Sequence, residues 1–270
     1  VAMRNRLTSD VTHLSLTIGE RNAHRKPLQL AKAAKFIESR LEELGYEPHR
    51  QEFKAREVIC ANSEVEILGS DLAKEIVIVG AHYDTAFATP GANDNSSGTA
   101  ALLETARRCA AWQPRRTLRF VAFTNEEPPY FQGPEMGSLV YAKRCQARNE
   151  SISAVVSLET IGFFTDVKGS QQYPPPFGLV YPSEGNFIAV VGNVESRPLV
   201  RRVINAFRGE AEVASEGGAF GIKPRHVAGQ LCAVFAGVKV IKVPFGKVAK
   251  GVAAGCVGVE NRCGMAHGKP

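Results

Sequence analysis

Ile76-Val-Ile-Val-Gly-Ala-His82-Tyr83-Asp84 and, just after it, Gly91-Ala-Asn-Asp94-Asn-Ser-Ser-Gly98 decide the fold. A compact apolar run bounded by polar residues reads as a buried strand, here placed at residues 75–81. It ends on His82 and Asp84. The glycine-bounded loop then opens a helix over residues 98–112, and a strand followed by a helix is the unit from which parallel sheets are built.

The same grammar recurs on both sides. Compact strands are predicted at residues 117–124, ending in Asn125-Glu126-Glu127, and at 152–158, ending in Glu159. A further helix is predicted at 136–145, then a strand at 187–191 and a helix at 198–207. Upstream, Leu30, Ala33, Ala34, Ile37, Leu41 and Leu44 recur at helical spacing over residues 27–44, and Gly45 stops that helix. Residues 47–55 and 63–68 read as strands flanking a turn. Tyr173-Pro-Pro-Pro-Phe177 is too proline-rich for a strand. The expected fold is therefore α/β, one domain over 1–270, with a mostly parallel (mixed) central sheet and helices on both faces.

In such a sheet the carboxyl ends of parallel strands open onto one edge, where ligands of open α/β folds usually sit. His82, Asp94, the Glu126-Glu127 pair and Glu159 are thereby brought to a single crevice. Taken singly, His82 could be a satisfied core histidine, Glu126 and Glu127 a solvated turn, and Asp94 a neighbour of a helix cap. Their joint placement at strand ends is what points to chemistry. One imidazole among carboxylates suits zinc better than magnesium or calcium. A shared carboxylate can hold two ions about 3.5–4 Å apart. Of two adjacent glutamates, one can bind metal while the other takes a proton from water. Asp84 is placed to hold the second ring nitrogen of His82.

His82-x-Asp84, Gly91-Ala-Asn-Asp94-Asn95-x-Ser97-Gly98, Asn125-Glu126-Glu127 and Glu159-Thr-Ile-Gly162 together resemble the bacterial aminopeptidases of metallopeptidase family twenty-eight. The likeness spans roughly residues 14–220 and includes Ile18-Gly-Glu-Arg-Asn22 and Pro128-Pro-Tyr-Phe131. It implies a zinc-exopeptidase (phosphorylase/hydrolase-like) fold and two Zn2+ per chain, or one if the fifth ligand is absent. It further implies that Asp94 bridges the ions, His82 and Glu159 hold one, and Glu127 holds the other. Glu126 would be the general base, with Asp84 behind His82, and the peptide after Asp94 would be cis. The implied activity is removal of N-terminal residues from peptide substrates by a metal-activated water. A single-zinc glutaminyl cyclase-like acyltransferase and a non-catalytic relative are the rivals on the same scaffold.

The likeness stops near Phe220. The family's fifth ligand, a histidine after a Ser-Asp-His segment, has no counterpart in matching context: His226 and His267 are the only later histidines, and a surface or capping role is the default for both. From Gly221 onward eight basic residues face one acidic residue, Glu260, which accounts for the whole net charge of +6. Apart from a strand expected at 238–243, periodicity is poor there. The tail is read as a shifted reading frame or a diverged end.

Other classes are disfavoured. The basic tail carries no nucleic-acid-binding motif. Apolar runs are too short to span a bilayer. No apolar stretch follows Arg4 and Arg6 to make a secretory signal, although Val1 as first residue allows for an upstream piece. The six cysteines form no CxxC pair and read as reduced structural thiols. Gly91–Gly98 lacks the terminal Lys-Ser/Thr of a phosphate loop.

Overall fold

The computed structural model of the protein describes residues 1–173, 176–220 and 239–243. His226, His267 and most of the basic tail lie outside the described residues, as does the middle of the Tyr173–Phe177 proline run.

An eight-stranded mixed sheet forms the centre, in the order β1-β2-β4-β3-β5-β8-β6-β7. Its strands are β1 (His49–Ala55), β2 (Val58–Ile67), β3 (Leu72–His82), β4 (Arg116–Phe123), β5 (Ser151–Glu159), β6 (Phe187–Asn193), β7 (Ala214–Phe220) and β8 (Lys239–Val243). The three compact runs read from sequence are β3, β4 and β5. They lie side by side and parallel, with His82 opposite Phe123 and Gly80 opposite Ser157. Gly80 is required there, since a Cβ would run into the Phe123 ring. The β1–β2 hairpin adds antiparallel to β4. Its second strand begins at Val58, earlier than expected, directly after a tight turn with Arg56 in the left-handed region. β8, the one strand expected in the tail, runs antiparallel to β5 and parallel to β6.

Helices cover both faces. Alternation along β4 sends Leu118, Phe120 and Ala122 to the side covered by α2 (Pro27–Glu42) and α3 (Gly98–Cys109). Val121 and Phe123 go to the other, packing with Tyr141 and Cys145 of α4 (Gly137–Ala147). α5 (Arg197–Glu210) sets Val200 against Val190 of β6. The apolar stripe of α2 is buried as its spacing requires: Leu30, Ala33, Ala34, Ile37 and Leu41 all face the core. Leu44 and Gly45 form its terminating turn, with Gly45 at φ +86°, a value glycine adopts without steric cost.

One element escapes the periodicity. Within α1 (Ala2–Thr12) only Asp10 is buried; the wider turn that continues it at His13–Ile18 brings Leu14 into the core. The helix is fastened by charge: Arg6 forks onto Glu104 of α3, and Arg40 of α2 reaches Asp10. No helix among the described residues is long and apolar enough to cross a membrane. Cys60, Cys109 and Cys145 are free thiols; the other three lie outside the described residues.

Ile37 has no exposed surface in the α2 face. Truncation to alanine is expected to cost roughly 2–5 kcal/mol, read as a lower urea midpoint with an unchanged slope. A loss below about 1 kcal/mol would contradict the packing of α2 described above.

Candidate metal centre

His82 is the last residue of β3 and is buried. Its carbonyl accepts a hydrogen bond from Thr99 Oγ1 (2.9 Å), which locks the strand end to the first turn of α3. Its Nε2 lies 2.9 Å from Asp94 Oδ1 and 3.1 Å from Glu159 Oε1, with Glu126 Oε2 at 3.9 Å. His82, Asp94 and Glu127 each offer a donor atom, and the three atoms lie within 4.8 Å of one another. Five residues from four separate stretches of sequence thus meet at one imidazole.

Asp84 sits behind them. One oxygen is 3.3 Å from His82 Nδ1, the position expected of it. The same carboxylate also accepts the backbone N–H groups of Glu126 (3.1 Å) and Glu127 (3.0 Å). A single aspartate therefore orients the imidazole and the glutamate turn together. That turn leaves β4 through Asn125, whose φ of 55° swings the next two residues back toward β3.

The Asp94 loop is held by side chains that sequence reading left without a role. The Asp94–Asn95 peptide is cis, as the family likeness implies. Asn95 donates to Leu158 O (2.9 Å) and accepts from Gly98 N (3.0 Å) and Thr160 N (3.2 Å). Asn93 Oδ1 accepts Gly162 N (2.8 Å), and Ser97 Oγ accepts Ile161 N (3.1 Å). These bonds clamp the loop to the end of β5, where Glu159 projects. Gly98 permits the close approach, since any Cβ would collide with Asn95 and with the Leu158 carbonyl. The available signal was the density of short polar side chains between Gly91 and Gly98, a composition that tends to bond with backbone.

The electrostatics call for a cation. Burial first, and the Asp94 carboxylate next, raise the Glu127 carboxyl to about 9 against the opposing pull of His82. For His82 burial opposes the charged form, but Glu159 and Glu126, with hydrogen bonds to Asp84 and Asp94, raise its pKa well above the usual value. Asp94 Oδ2 is buried with no hydrogen-bond partner among the described residues. One imidazole, several carboxylates and an unpartnered buried oxygen fit a zinc ion.

The fold is the one that zinc exopeptidases share. Residues 62–176 match the model of Peptidase family M28, and this segment of the chain is of that family. Among curated relatives, the chain is 42% identical over 137 residues to the uncharacterized protein YfbL of Escherichia coli, covering 47% of this chain and 42% of YfbL. It is 49% identical over 53 residues to aminopeptidase YwaD of Bacillus subtilis, covering 20% of this chain and 12% of YwaD. The chain thus spans less than half the length of these relatives. Among solved structures, the zinc aminopeptidase BSAP of Bacillus subtilis superposes with a TM-score of 0.61 at 15% identity, over 90% of this chain and 85% of that one. Glutaminyl cyclase of Bacteroides thetaiotaomicron gives 0.58 at 16% identity, over 88% and 83%. Both likenesses concern the fold.

Since metal takes the deprotonated ligands, zinc entry should displace protons from Glu127 and His82. Both pKa values are raised, that of Glu127 to about 9, so zinc affinity should climb as pH rises toward about 9. Calorimetry in buffers of different ionisation enthalpy at about pH 7 should show net proton release. Binding without proton release would contradict this assignment of the ligands.

Proposed function

We propose that the chain is a zinc-dependent aminopeptidase in which Glu126 is the general base. The observation that supports this is the adjacent glutamate pair: Asp84 accepts both backbone N–H groups, Glu127 joins the His82–Asp94 donor cluster, and Glu126 Oε2 lies 3.9 Å from His82 Nε2. On this reading Glu127 binds metal and its neighbour Glu126 moves a proton.

His82, Asp94, Glu127 and Glu159 would hold the zinc, two ions per chain or one if the fifth ligand is absent. When bound, zinc supplies the charge that polarises a carbonyl and acidifies water. Glu126 accepts the proton of the attacking water and delivers it to the departing amine. Its burial keeps the carboxylate out of bulk solvent, so the proton it takes is not exchanged away before the C–N bond breaks. Asp84 keeps the His82 ring in one orientation and fixes the turn that carries the base. Peptides with a free N-terminus are the proposed substrates, their ammonium group drawn by the surplus of carboxylates around the site.

Glu126→Gln is the direct test. Zinc stoichiometry by elemental analysis should stay at the parent value, while hydrolysis of aminoacyl anilides should fall by about 10²–10⁴. Glu127→Gln should instead lose zinc. Parent-level hydrolysis by Glu126→Gln would refute the assignment of the base. Cyclisation of N-terminal glutamine in place of hydrolysis would move the chain to the acyltransferase chemistry. A zinc-loaded parent chain that does neither would be the non-catalytic relative.

A further inference from the structure

Arg21 is a fully buried side chain with no carboxylate among its hydrogen-bond partners. A buried guanidinium is costly unless each of its five N–H groups finds an acceptor, and here they do. Nε donates to Tyr83 O (2.6 Å). Nη1 donates to Leu14 O (3.0 Å), Gly19 O (3.1 Å) and Pro90 O (2.9 Å), and Nη2 to Ser96 Oγ (2.7 Å), with Gly91 O farther off at 3.5 Å. Its backbone joins in: Arg21 N donates to Thr85 Oγ1 (3.0 Å), and Thr85 N to Arg21 O (2.9 Å).

The chain positions of these partners matter more than their number. Tyr83 lies between His82 and Asp84. Pro90, Gly91 and Ser96 bracket Asp94. The guanidinium therefore grips the two stretches that deliver the imidazole and the carboxylate found 2.9 Å apart. Ser96 Oγ donates in turn to Gly91 O (2.6 Å), closing the base of the Asp94 loop around the arginine.

We propose that Arg21 is a positioning residue for the metal centre, fixing the loop of Asp94 against the end of β3 so that Asp94 and His82 converge on one ion. The inference rests on the metal-centre assignment above. Lysine cannot replace it: an ammonium is a point charge with three donors, whereas the planar fork reaches carbonyls in several directions at once. The charge contributes as well. Burial lowers the pKa of Arg21 to about 10, with Asp84 and Asp94 opposing the fall, so it remains a cation beside the carboxylate cluster at neutral pH.

The test compares the parent chain with Arg21→Lys and Ser96→Ala, the second removing only a hydroxyl. Zinc affinity is measured by competition with a chelating dye, the visible spectrum of the cobalt-substituted protein is recorded, and melting of the metal-free proteins is followed. Zinc affinity should fall about 10–100-fold in Arg21→Lys and about tenfold in Ser96→Ala, as for partners that orient ligands from behind. The cobalt bands should shift in both. If Arg21→Lys does not fold, Ser96→Ala decides. Affinity within about twofold of the parent and unchanged cobalt bands, even with a lowered melting temperature, would make Arg21 a purely structural residue and overturn the proposal. A folded parent that binds no metal would overturn this proposal and the proposed function together; a parent that binds normally beside unaffected variants overturns this one alone.

Discussion

Burying several carboxylates around one imidazole is unfavourable without positive charge to match them, and the rest of the site is arranged around that constraint. Asp84, Glu126, Glu127 and Glu159 are buried, and Asp94 is close to it. The protein offsets part of the repulsion itself. Two backbone N–H groups face Asp84, His82 lies between Asp94 and Glu159, and the guanidinium of Arg21 is buried close by. The remainder shows as the raised pKa of Glu127, a carboxyl that keeps its proton until a cation makes the charged form favourable. The same feature suits the crevice to a cation and would make it a poor place for unpaired acid groups in any other role.

How much of this was legible in the sequence depends on whether the signal was local. The ends of β3, β4 and β5 could be read because compact apolar runs mark buried strands, and parallel pairing then fixes where His82, Glu126, Glu127 and Glu159 emerge. α2 could be read because five apolar residues repeat at helical spacing. α1 could not, since a helix docked through Arg6–Glu104 and Arg40–Asp10 leaves no apolar stripe to find. β7, with two adjacent glycines in Ser215-Glu-Gly-Gly-Ala-Phe220, has little strand propensity and owes its form to pairing with β6. Arg21 stood in the sequence only as part of the Ile18-Gly-Glu-Arg-Asn22 stretch of the family likeness, with no role of its own. Its acceptors at Tyr83, Pro90 and Ser96 lie far along the chain, and no local pattern reports them. Asp84 was read for its contact with His82 and not for its hold on the Glu126-Glu127 turn, which depends on how β3 and β4 are aligned.

The proposed metal donors fall into two mechanical classes. His82 and Glu159 end strands inside the sheet, where pairing with Phe123 of β4 and with Val240 of β8 fixes the backbone. Asp94 and the two glutamates sit on loops, which have no ladder and whose buried backbone groups must find partners elsewhere. Polar side chains tie each loop to a strand end: the glutamate turn by Asp84 at the end of β3, and the Asp94 loop by Asn93, Asn95 and Ser97 at the end of β5 and by Arg21 at the end of β3. The loop donors thus take their positions from the same strands that carry the other two, and the precision of the site is that of the central sheet. Glu159 then has a particular standing. Its strand is flanked on one side by β3 and on the other by β8, with Glu159 itself opposite Val240. The segment beyond the reach of the family likeness therefore enters the site through backbone pairing at a donor residue, whatever its side chains contribute.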